Sequence, residues 1–456
     1  MFDRLKFIAA HTAGYVGFYP EYRRLKQNER RPYPVLEAEQ KAGLRQMLRY
    51  AYDNVPYYRR LFDRLKFEPD RFRNLEDLQQ LPIMDKTTVK RHFDELVPAC
   101  IGRIPHIEDS TGGSTGTPMK FLVSRRDRVL GGALLYRGWG YAGYELGDRM
   151  VFLAGTSLGM GAPGAGAHGA QAKKQIVKSV HEHSRNIRKL STLNMGEKEL
   201  RDYTAIIGRF RPRFIRGYAS SIYTYACWAR DNDVRVHQPH AVFTTSEKLY
   251  PKMRDTIKDV FGCDVFDGYG LFDGGLTAFE CPEHTGMHVD TERAVMEIVD
   301  DGGRQKDSGR GHIVATSLSN RAMPLIRYDT NDLGHVIDDG CPCGRPYRLL
   351  KEICGRSGDI LYTPEGKAVH SLLFAYIFDE LPWVKEYQVV QERADRITIR
   401  LVPDAGFDER KLDHVRARIR RQSEAWDVDF AIVDRIEKTR GGKYRYIVNK
   451  MLNASN

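Results

Sequence analysis

Hydroxyl and glycine residues are concentrated in one ten-residue stretch, Asp109-Ser-Thr-Gly-Gly-Ser-Thr-Gly-Thr-Pro118, between two predicted strands. Its five hydroxyl side chains and its backbone N–H groups can converge on a phosphate, because the three glycines let the backbone approach a ligand closely. The stretch is not the P-loop of nucleotide hydrolases, since no Gly-Lys-Ser/Thr sequence closes it. A flexible turn has the same composition, so a phosphate-binding loop and a plain turn both remain open at this point.

Cysteine and histidine residues form a second group of side chains that could bind a ligand. Cys281-Pro-Glu-His284 places a thiol and an imidazole three residues apart, and Cys341-Pro-Cys343 places two thiols in one tight turn. Three thiolates and one imidazole make a closed tetrahedral zinc set, which is a structural rather than a catalytic type of site. The predicted ligands are Cys281, His284, Cys341 and Cys343, with His288 as an alternate. The competing interpretation is four unrelated loop residues.

Composition limits the classes of protein to consider. The 456 residues include 41% hydrophobic and 29% charged residues, as expected of a globular chain with more than one domain. No apolar run is long enough to span a bilayer, and no signal peptide is recognised, so we expect a cytoplasmic protein. Seven cysteines, an odd number, argue against a disulfide framework.

The charge balance is basic, with a formal net charge of +11. The basic residues are spread along the chain, and the densest run, residues 416–421, lies on a predicted helix. A charge run of this kind is usually a solvated helix face, so we do not expect nucleic-acid binding. A polyanionic ligand such as a nucleotide would also explain a basic cleft.

The elements that must position these residues alternate between strand and helix over the middle of the chain. Short apolar strands are predicted at residues 150–154, 214–218, 241–245 and 265–268, with helices at residues 196–211, 220–231 and 250–261. This alternation predicts parallel α/β sheets. Residues 37–53 predict a helix, and residues 294–299 and 311–316 predict a smaller antiparallel sheet or barrel.

The end of the chain has a different pattern. Period-two alternation predicts strands at residues 384–390 and 396–402, followed by a helix at 411–423 and a strand at 427–433. The fold class predicted is therefore α/β: a large N-terminal domain of parallel or mixed sheets with helices and a small barrel-like sheet, then a small α+β domain. We place the boundary between residues 1–355 and residues 356–456.

Four further segments follow the hydroxyl-rich loop: Asp267-Gly-Tyr-Gly-Leu-Phe-Asp273, Arg327-Tyr-Asp-Thr-Asn-Asp-Leu-Gly334, Gly355-Arg-Ser-Gly-Asp359 and Thr439-Arg-Gly-Gly-Lys-Tyr-Arg-Tyr446. In this order the five segments resemble the signatures of the adenylate-forming superfamily, and most of all its phenylacetate–CoA ligase branch with the CapK-like proteins. Residues 47–59 and 81–86 resemble the opening of that branch. The resemblance extends over nearly the whole chain.

The resemblance implies an AMP-forming ligase with a small mobile C-terminal domain. ATP and a carboxylic acid would give an acyl-adenylate and pyrophosphate, and the acyl group would then pass to CoA. The implied cofactors are ATP, Mg²⁺ and CoA, beside the structural Zn²⁺ considered above. Assembly as a homodimer is left open.

The resemblance also assigns residues. The phosphate loop would be Thr111, Gly112, Gly113, Ser114, Thr115, Gly116 and Thr117. Asp332 matches the aspartate that grips the ribose hydroxyls, Tyr269 the aromatic residue near adenine, Glu247 a residue beside the adenosine, and Arg356 an arginine that contacts ribose or phosphate. The segment holding Asp267, Gly268 and Gly270 would face the nucleotide. Asp273 would face Mg²⁺, and Lys443 matches the catalytic lysine of the C-terminal domain.

The chain departs from the family pattern in two places. Asp273 stands where glutamate is usual, which shortens the carboxylate by one methylene, and the hinge segment lacks the usual Asp-Asp, with Asp359 as the hinge candidate. The acid itself is not identified, although residues 139–144, 216–221 and 268–273 are predicted to line its pocket. Two alternatives remain open: transfer to an amine or hydroxyl in surface polysaccharide synthesis, and a basic nucleic-acid or membrane-surface binder without enzymatic activity.

Overall fold

The computed structural model describes residues 2–111, 119–155, 180–356, 360–370, 373–374, 377–378, 380–404, 406–437 and 444–451. Over these residues the α-helices are α1 (Phe2–Gly14), α2 (Phe18–Asn28), α3 (Tyr33–Asn54), α4 (Pro56–Leu65), α5 (Lys86–Arg91), α6 (Phe93–Leu96), α7 (Arg125–Trp139), α8 (Glu197–Phe210), α9 (Ala219–Asp231), α10 (Pro251–Phe261) and α11 (Leu412–Arg420). The strands of the first half are β1 (His106–Ser110), β2 (Lys120–Ser124), β3 (Met150–Ala154), β4 (Ile187–Ser191), β5 (Phe214–Tyr218), β6 (Ala241–Thr245), β7 (Asp264–Phe266), β8 (Gly268–Gly270), β9 (Thr277–Glu280) and β10 (Met287–Val289). Those of the second half are β11 (Ala294–Val299), β12 (Gln305–Lys306), β13 (Gly309–Ser317), β14 (Tyr328–Ile337), β15 (Leu349–Arg356), β16 (Ile360–Tyr362), β17 (Ala368–His370), β18 (Val384–Arg393), β19 (Arg396–Pro403), β20 (Asp427–Ile432) and β21 (Ile447–Asn449).

A parallel sheet is built from the predicted strand and helix alternation. Its order is β4-β3-β5-β6-β7, and the pairs β3–β4, β3–β5, β5–β6 and β6–β7 are all parallel. Strands β5 and β6 are buried along their whole length, as expected of strands covered on both faces. Because the carboxyl ends of parallel strands meet at one edge, the residues that follow β5 and β6 are neighbours.

An antiparallel sheet of eight strands, in the order β12-β11-β13-β14-β15-β10-β9-β8, lies beside the parallel sheet. The predicted antiparallel sheet is present, and with eight strands it is more extensive than the five-stranded parallel sheet. Short strands such as Thr277–Glu280 and Met287–Val289 have too few residues to show period-two alternation in the sequence. The mixed α/β class itself is confirmed.

Helix α7 joins the two sheets. Trp139 at its end stacks on Phe243 of β6, with ring centroids 5.9 Å apart, and Gly138 lies against Phe279 of β9. A Cβ at residue 138 would meet the Phe279 ring at 2.2 Å, so the close approach of helix and strand requires glycine there. Among the described residues, no helix combines the length and the apolar character needed to cross a membrane.

The C-terminal lobe, defined as residues 360–451, has its own sheet in the order β20-β19-β18-β21 and the hairpin β16–β17. Helix α11 buries Leu412, Val415 and Ile419 against it. This lobe meets the rest of the chain through Tyr446, which packs against the cores of both parts. The placement of the boundary between residues 355 and 356 stays a prediction.

Candidate active site

Asp332, Tyr269 and Arg356 come together on the antiparallel sheet, although they are far apart in sequence. Asp332 lies on β14 opposite Arg356 of β15, and the Arg356 Nε is 3.5 Å from Asp332 Oδ1. The Tyr269 hydroxyl donates to Asp332 Oδ2 at 2.9 Å. Burial raises the pKa of Asp332, while the Arg356 charge and the Tyr269 hydrogen bond act in the opposite direction. A carboxylate with two oxygens can still accept further O–H donors.

Asp273 lies at one end of this group. Its Oδ2 accepts the hydroxyl of Tyr328 at 2.7 Å, and Tyr328 is completely buried. The Asp273 charge is close enough to contribute to raising the pKa of Asp332. No role was predicted for Tyr328, although it lies within the Arg327-Tyr-Asp-Thr segment. Its hydroxyl fixes a carboxylate that faces the same region as Asp332.

Glu247 joins two separate parts of the molecule. Its Oε2 accepts the backbone N–H of Ser220, at the start of α9, at 2.9 Å. Its Oε1 accepts the backbone N–H of Tyr444, in the C-terminal lobe, at 2.9 Å. This double role was not predicted, because contact with a residue 197 positions away leaves no local signal in the sequence. The predicted position of Glu247 beside an adenosine stays a prediction.

The Asp267-to-Gly270 segment is fixed by hydrogen bonds within the protein. Asp267 Oδ1 accepts the Thr244 hydroxyl at 2.6 Å and the N–H of Gly268 at 3.0 Å. Burial and the neighbouring Glu280 raise the pKa of Asp267 to about 6. Gly268 faces the Phe279 ring, whereas Gly270 is exposed, and a Cβ at residue 270 would meet only a methyl of Thr277, at 3.7 Å.

The ends of the hydroxyl-rich loop belong to the hairpin of β1 and β2. Thr111 N donates to Met119 O at 2.9 Å, and Met119 N donates to the Thr111 hydroxyl oxygen at 3.0 Å. The remaining predicted loop residues, Gly112 to Thr117, lie outside the described residues. Lys443 and Asp359 also lie outside them, so their assignments stay predictions.

Three of the four predicted metal ligands converge in a separate cluster. Cys281 Sγ and Cys341 Sγ are 3.5 Å apart, and Cys343 Sγ is 3.3 Å from His288 Nε2. The ligand atoms of Cys281, His288, Cys341 and Cys343 all lie within 4.8 Å of one another. The separation of the thiols is far too long for a disulfide bond. It is close to the distance between two thiolates on one tetrahedral ion, so the donor set fits Zn²⁺.

His284 is not part of this cluster, and the prediction that it is a ligand is wrong. Its Nδ1 lies 3.3 Å from Glu280 Oε2, and its ring packs on Phe266 with the centroids 4.9 Å apart. The alternate residue, His288, takes its place because of sheet order. Strand β10 carries His288 and lies between β9, which leads into Cys281, and β15, which the Cys341 turn precedes. Such pairing cannot be read from local spacing.

His288 is completely buried and its Nε2 faces the thiols, while its Nδ1 has no hydrogen-bond partner among the described residues. Burial and the nearby Arg345 and Arg137 lower its pKa to about 4. The imidazole is therefore neutral near pH 7, which is the form that binds metal ions.

Comparison with known proteins gives the family context of this site. Residues 361–450 match the CapK C-terminal domain. The chain is 29% identical over 375 residues to the phenylacetate–coenzyme A ligase of Thermus thermophilus, with 79% of each chain covered. It is 25% identical over 384 residues to protein CapK of Staphylococcus aureus, with 82% of this chain and 81% of CapK covered.

The fold matches solved structures over nearly its full length. A 2-hydroxyisobutyryl-CoA ligase in its postadenylation state superposes with a TM-score of 0.73 at 20% identity, covering 94% of both chains. The same ligase in its thioesterification state superposes with a TM-score of 0.60 at 21% identity, again covering 94% of both chains. The resemblance inferred from the five sequence segments is thus confirmed.

Proposed function

Since the chain is a homologue of the phenylacetate–coenzyme A ligases and of CapK, with the fold of the adenylate-forming ligases, we propose that it is an AMP-forming acid–thiol ligase. In the first half-reaction the carboxylate oxygen of an acid attacks the α-phosphorus of ATP. An acyl–O–P bond forms as the α–β phosphoanhydride bond breaks, and pyrophosphate leaves. In the second half-reaction a CoA thiolate attacks the acyl carbon, a thioester forms and AMP leaves.

The observation that carries this proposal is the group formed by Asp332, Tyr269 and Arg356. Asp332 is oriented by the Tyr269 hydroxyl and the Arg356 guanidinium. Its remaining acceptor positions suit the two ribose hydroxyls of ATP. Because phosphoryl and nucleotidyl transfer rely on positioning and charge neutralisation, an acceptor held in place by two neighbours favours catalysis.

Charge on the phosphates is the second requirement. The carboxylate of Asp273, held by Tyr328, would hold the Mg²⁺ that accompanies ATP, since carboxylate oxygens are the ligands this ion prefers. When bound, Mg²⁺ neutralises charge that develops on the phosphate oxygens. We assign to Lys443 the contact with the substrate carboxylate and the α-phosphate, and to residues 111–117 the cradle for the phosphates, from the family pattern.

Glu247 gives a physical link between the two half-reactions. It holds the backbone N–H of Tyr444, the residue that follows Lys443, against the start of α9. The better superposition on the postadenylation state supports the proposal that this contact belongs to the adenylating arrangement. We propose that it is released when the C-terminal lobe moves for thioester formation.

The match of residues 361–450 to the CapK C-terminal domain favours a second candidate acceptor. In that case an amine or hydroxyl oxygen, in place of the CoA sulfur, would attack the acyl carbon of the adenylate. The first half-reaction and its residues would be unchanged.

Exchange of labelled pyrophosphate into ATP, measured with a panel of carboxylic acids, tests the first half-reaction without any knowledge of the acceptor. We expect exchange that depends on the acid and is lost in Asp332→Ala. Consumption of free thiol in the presence of CoA then distinguishes a CoA ligase from an enzyme that uses an amine or hydroxyl. Tight ATP binding without exchange for any acid would contradict the enzymatic proposal and favour a binding protein.

We also propose that Cys281, His288, Cys341 and Cys343 hold one structural Zn²⁺. The three sulfurs and the His288 Nε2 form a closed set with no position left for a reacting water. With the ion bound, the site would hold the turn at residues 341–343 against the strands β9 and β10. Its role would be to hold this end of the antiparallel sheet together rather than to take part in ligation.

A further inference from the structure

Among the described residues, Arg216 is a buried cation without an anionic partner. Its side chain extends from β5, and the residue is only 8% exposed. Its guanidinium carbon lies 5.1 Å from the centre of the Trp139 ring and 5.6 Å from that of Phe152. Among the described residues no carboxylate pairs with it, and the titratable groups that influence it are the hydroxyls of Tyr136 and Tyr218.

The two longest undescribed segments, residues 112–118 and 156–179, contain no aspartate or glutamate, and the acidic side chains outside the described residues are Asp359 and Asp379. The other buried arginines behave differently: Arg137 pairs with Asp290 and Glu292, Arg293 with Asp127, and Arg327 with Glu297. Within the described part of the chain, Arg216 is therefore the one buried arginine without a carboxylate partner.

Burying a charge without a partner is strongly unfavourable, and here it lowers the pKa of Arg216 to about 10. A ligand that supplies the missing negative charge would offset this cost. A guanidinium offers a planar fork of N–H donors that matches a carboxylate. Trp139 and Phe152 add an apolar surround that suits the organic body of a ligand better than a hydrated polyphosphate.

Arg216 belongs to residues 216–221, one of the segments predicted to line the acid pocket. It lies two residues before the carboxyl end of β5, about 7 Å below the edge of the sheet at the usual rise of a strand. Ser220 and Glu247 lie at that edge, and the proposed ribose-binding group lies on the other sheet. A ligand whose reacting carboxylate meets ATP at the edge would extend its other end downward, toward Arg216.

We propose that Arg216 binds a second carboxylate, so that the preferred substrates are dicarboxylic acids, one carboxylate being adenylated and the other held by this guanidinium. This inference rests on the proposed ligase function and adds the chemical class of its substrate. It makes Arg216 a specificity-determining residue. The chemistry of the adenylation step is unchanged.

The test compares matched acids in wild-type protein and variants. Pyrophosphate exchange is measured with the dicarboxylates from succinate to suberate and with the monocarboxylates of the same lengths. We expect at least one dicarboxylate to exceed its monocarboxylate in kcat/KM by about 10²-fold or more, since a buried charged group left unpaired discriminates strongly. Arg216→Met should abolish this preference, Arg216→Lys should keep part of it, and the exposed neighbour Arg213→Met serves as the control.

Ligand affinity and thermal stability are measured as well, so that the inference can be tested without turnover. Calorimetric titration with the same acids reports binding without turnover, so an Arg216-dependent affinity for dicarboxylates supports the inference even if no exchange is found and the ligase proposal fails. Removal of an unpaired buried charge should leave Arg216→Met at least as stable as wild type toward heat. Equal use of both acid classes by wild type, a destabilised Arg216→Met with unchanged acid preference, or an effect confined to the KM for CoA would overturn the inference.

Discussion

At the scale of single residues, Asp332 is held by two partners, the Tyr269 hydroxyl and the Arg356 guanidinium. Asp332→Asn keeps the shape of the side chain but removes the charge and replaces one acceptor oxygen by a donor. We expect kcat/KM for ATP in pyrophosphate exchange to fall by about 10²-fold or more, as for other losses of charge-assisted hydrogen bonds in a catalytic site. Tyr269→Phe removes only the orienting hydroxyl, so the loss should be about tenfold. Equal, small losses in both variants would contradict a ribose-binding role.

Substitutions of Asp273 test separately whether neutralisation of the phosphate charge contributes to catalysis. Asp273→Asn should lower kcat for exchange by about 10- to 100-fold with little change in ATP affinity, because the metal acts mainly on charge that develops in the transition state. Asp273→Glu, the usual residue of the family, should retain part of the activity. Tyr328→Phe, which removes the partner of Asp273, should resemble a mild form of Asp273→Asn. A large loss of ATP affinity in Asp273→Asn would point to a binding role instead.

The metal cluster predicts different effects for substitutions of two neighbouring histidines, His288 and His284. Elemental analysis of purified protein should find about one zinc per chain, as expected of a single four-ligand site. His288→Gln and Cys341→Ser should lose the metal and lower the melting temperature. His284→Gln, four residues earlier in the chain, should keep the metal, because His284 contacts Glu280 instead of the thiols. Metal retained in His288→Gln but lost in His284→Gln would reverse the assignment.

At the scale of elements, the contact of Glu247 with α9 and with the C-terminal lobe predicts that a substitution at Glu247 affects the two half-reactions differently. Glu247→Gln replaces one of its two acceptor oxygens by a donor, so one of the bonds to Ser220 and Tyr444 is lost. We expect adenylation to fall by about tenfold, the effect of losing one hydrogen bond to a charged group. Transfer from preformed acyl-adenylate should be unchanged, because the lobe has then moved.

The control for this prediction is Glu380→Gln, which alters an exposed ion pair with Arg418 within the same lobe. It should affect neither half-reaction, since exposed ion pairs contribute little. Equal losses in both half-reactions for Glu247→Gln would indicate a general role in nucleotide binding rather than in holding the lobe.

Elements with a clear local period were predictable from the sequence. The strands at residues 150–154, 214–218 and 241–245 and the helix at 219–231 lie within a residue of their predicted bounds. The segment predicted as one strand at residues 265–268 instead divides between β7 and β8, which belong to different sheets. Sequence patterns report which residues are buried, but the choice of partner strand depends on contacts between distant parts of the chain.

The same limit applies to the site. Asp332 and Tyr269 could be assigned because they lie in segments that resemble family signatures. The role of Tyr328 could not be assigned, because a buried tyrosine is usually a core residue. The contact between Glu247 and Tyr444 could not be predicted either, because every residue except proline has a backbone N–H. His288 was only an alternate ligand, because the spacing from Cys281 favoured His284, while sheet order decided in favour of His288.

At the scale of the whole molecule, buried histidines predict sensitivity to acid. His11 of α1 is 4% exposed, stacks on Phe7 with the ring centroids 3.9 Å apart and contacts the Tyr136 hydroxyl at 3.0 Å. Burial and the Arg185 charge lower its pKa from 6.5 to about 3. Its contribution to stability is therefore complete above pH 6.5 and is lost as the pH falls toward 3, because only the unfolded chain then binds the proton.

At pH 5 this single group should reduce the free energy of unfolding by about 2 kcal/mol relative to pH 7. His11→Gln cannot titrate and should lose correspondingly less stability between the two pH values, as measured by chemical unfolding. His106→Gln, an exposed histidine, provides the control and should behave as wild type. The prediction is wrong if wild type and His11→Gln lose the same amount.

The thiol and imidazole cluster has a consequence for how such a chain changes over evolutionary time. Each of its four side chains is useful only while the other three are present, since a partial set leaves thiols and an imidazole crowded together in a buried space. Substitutions at these positions should therefore be inherited as a block. Descendants that lack one of the four should lack the rest as well, with apolar residues filling the volume, whereas position 284 should vary independently of them.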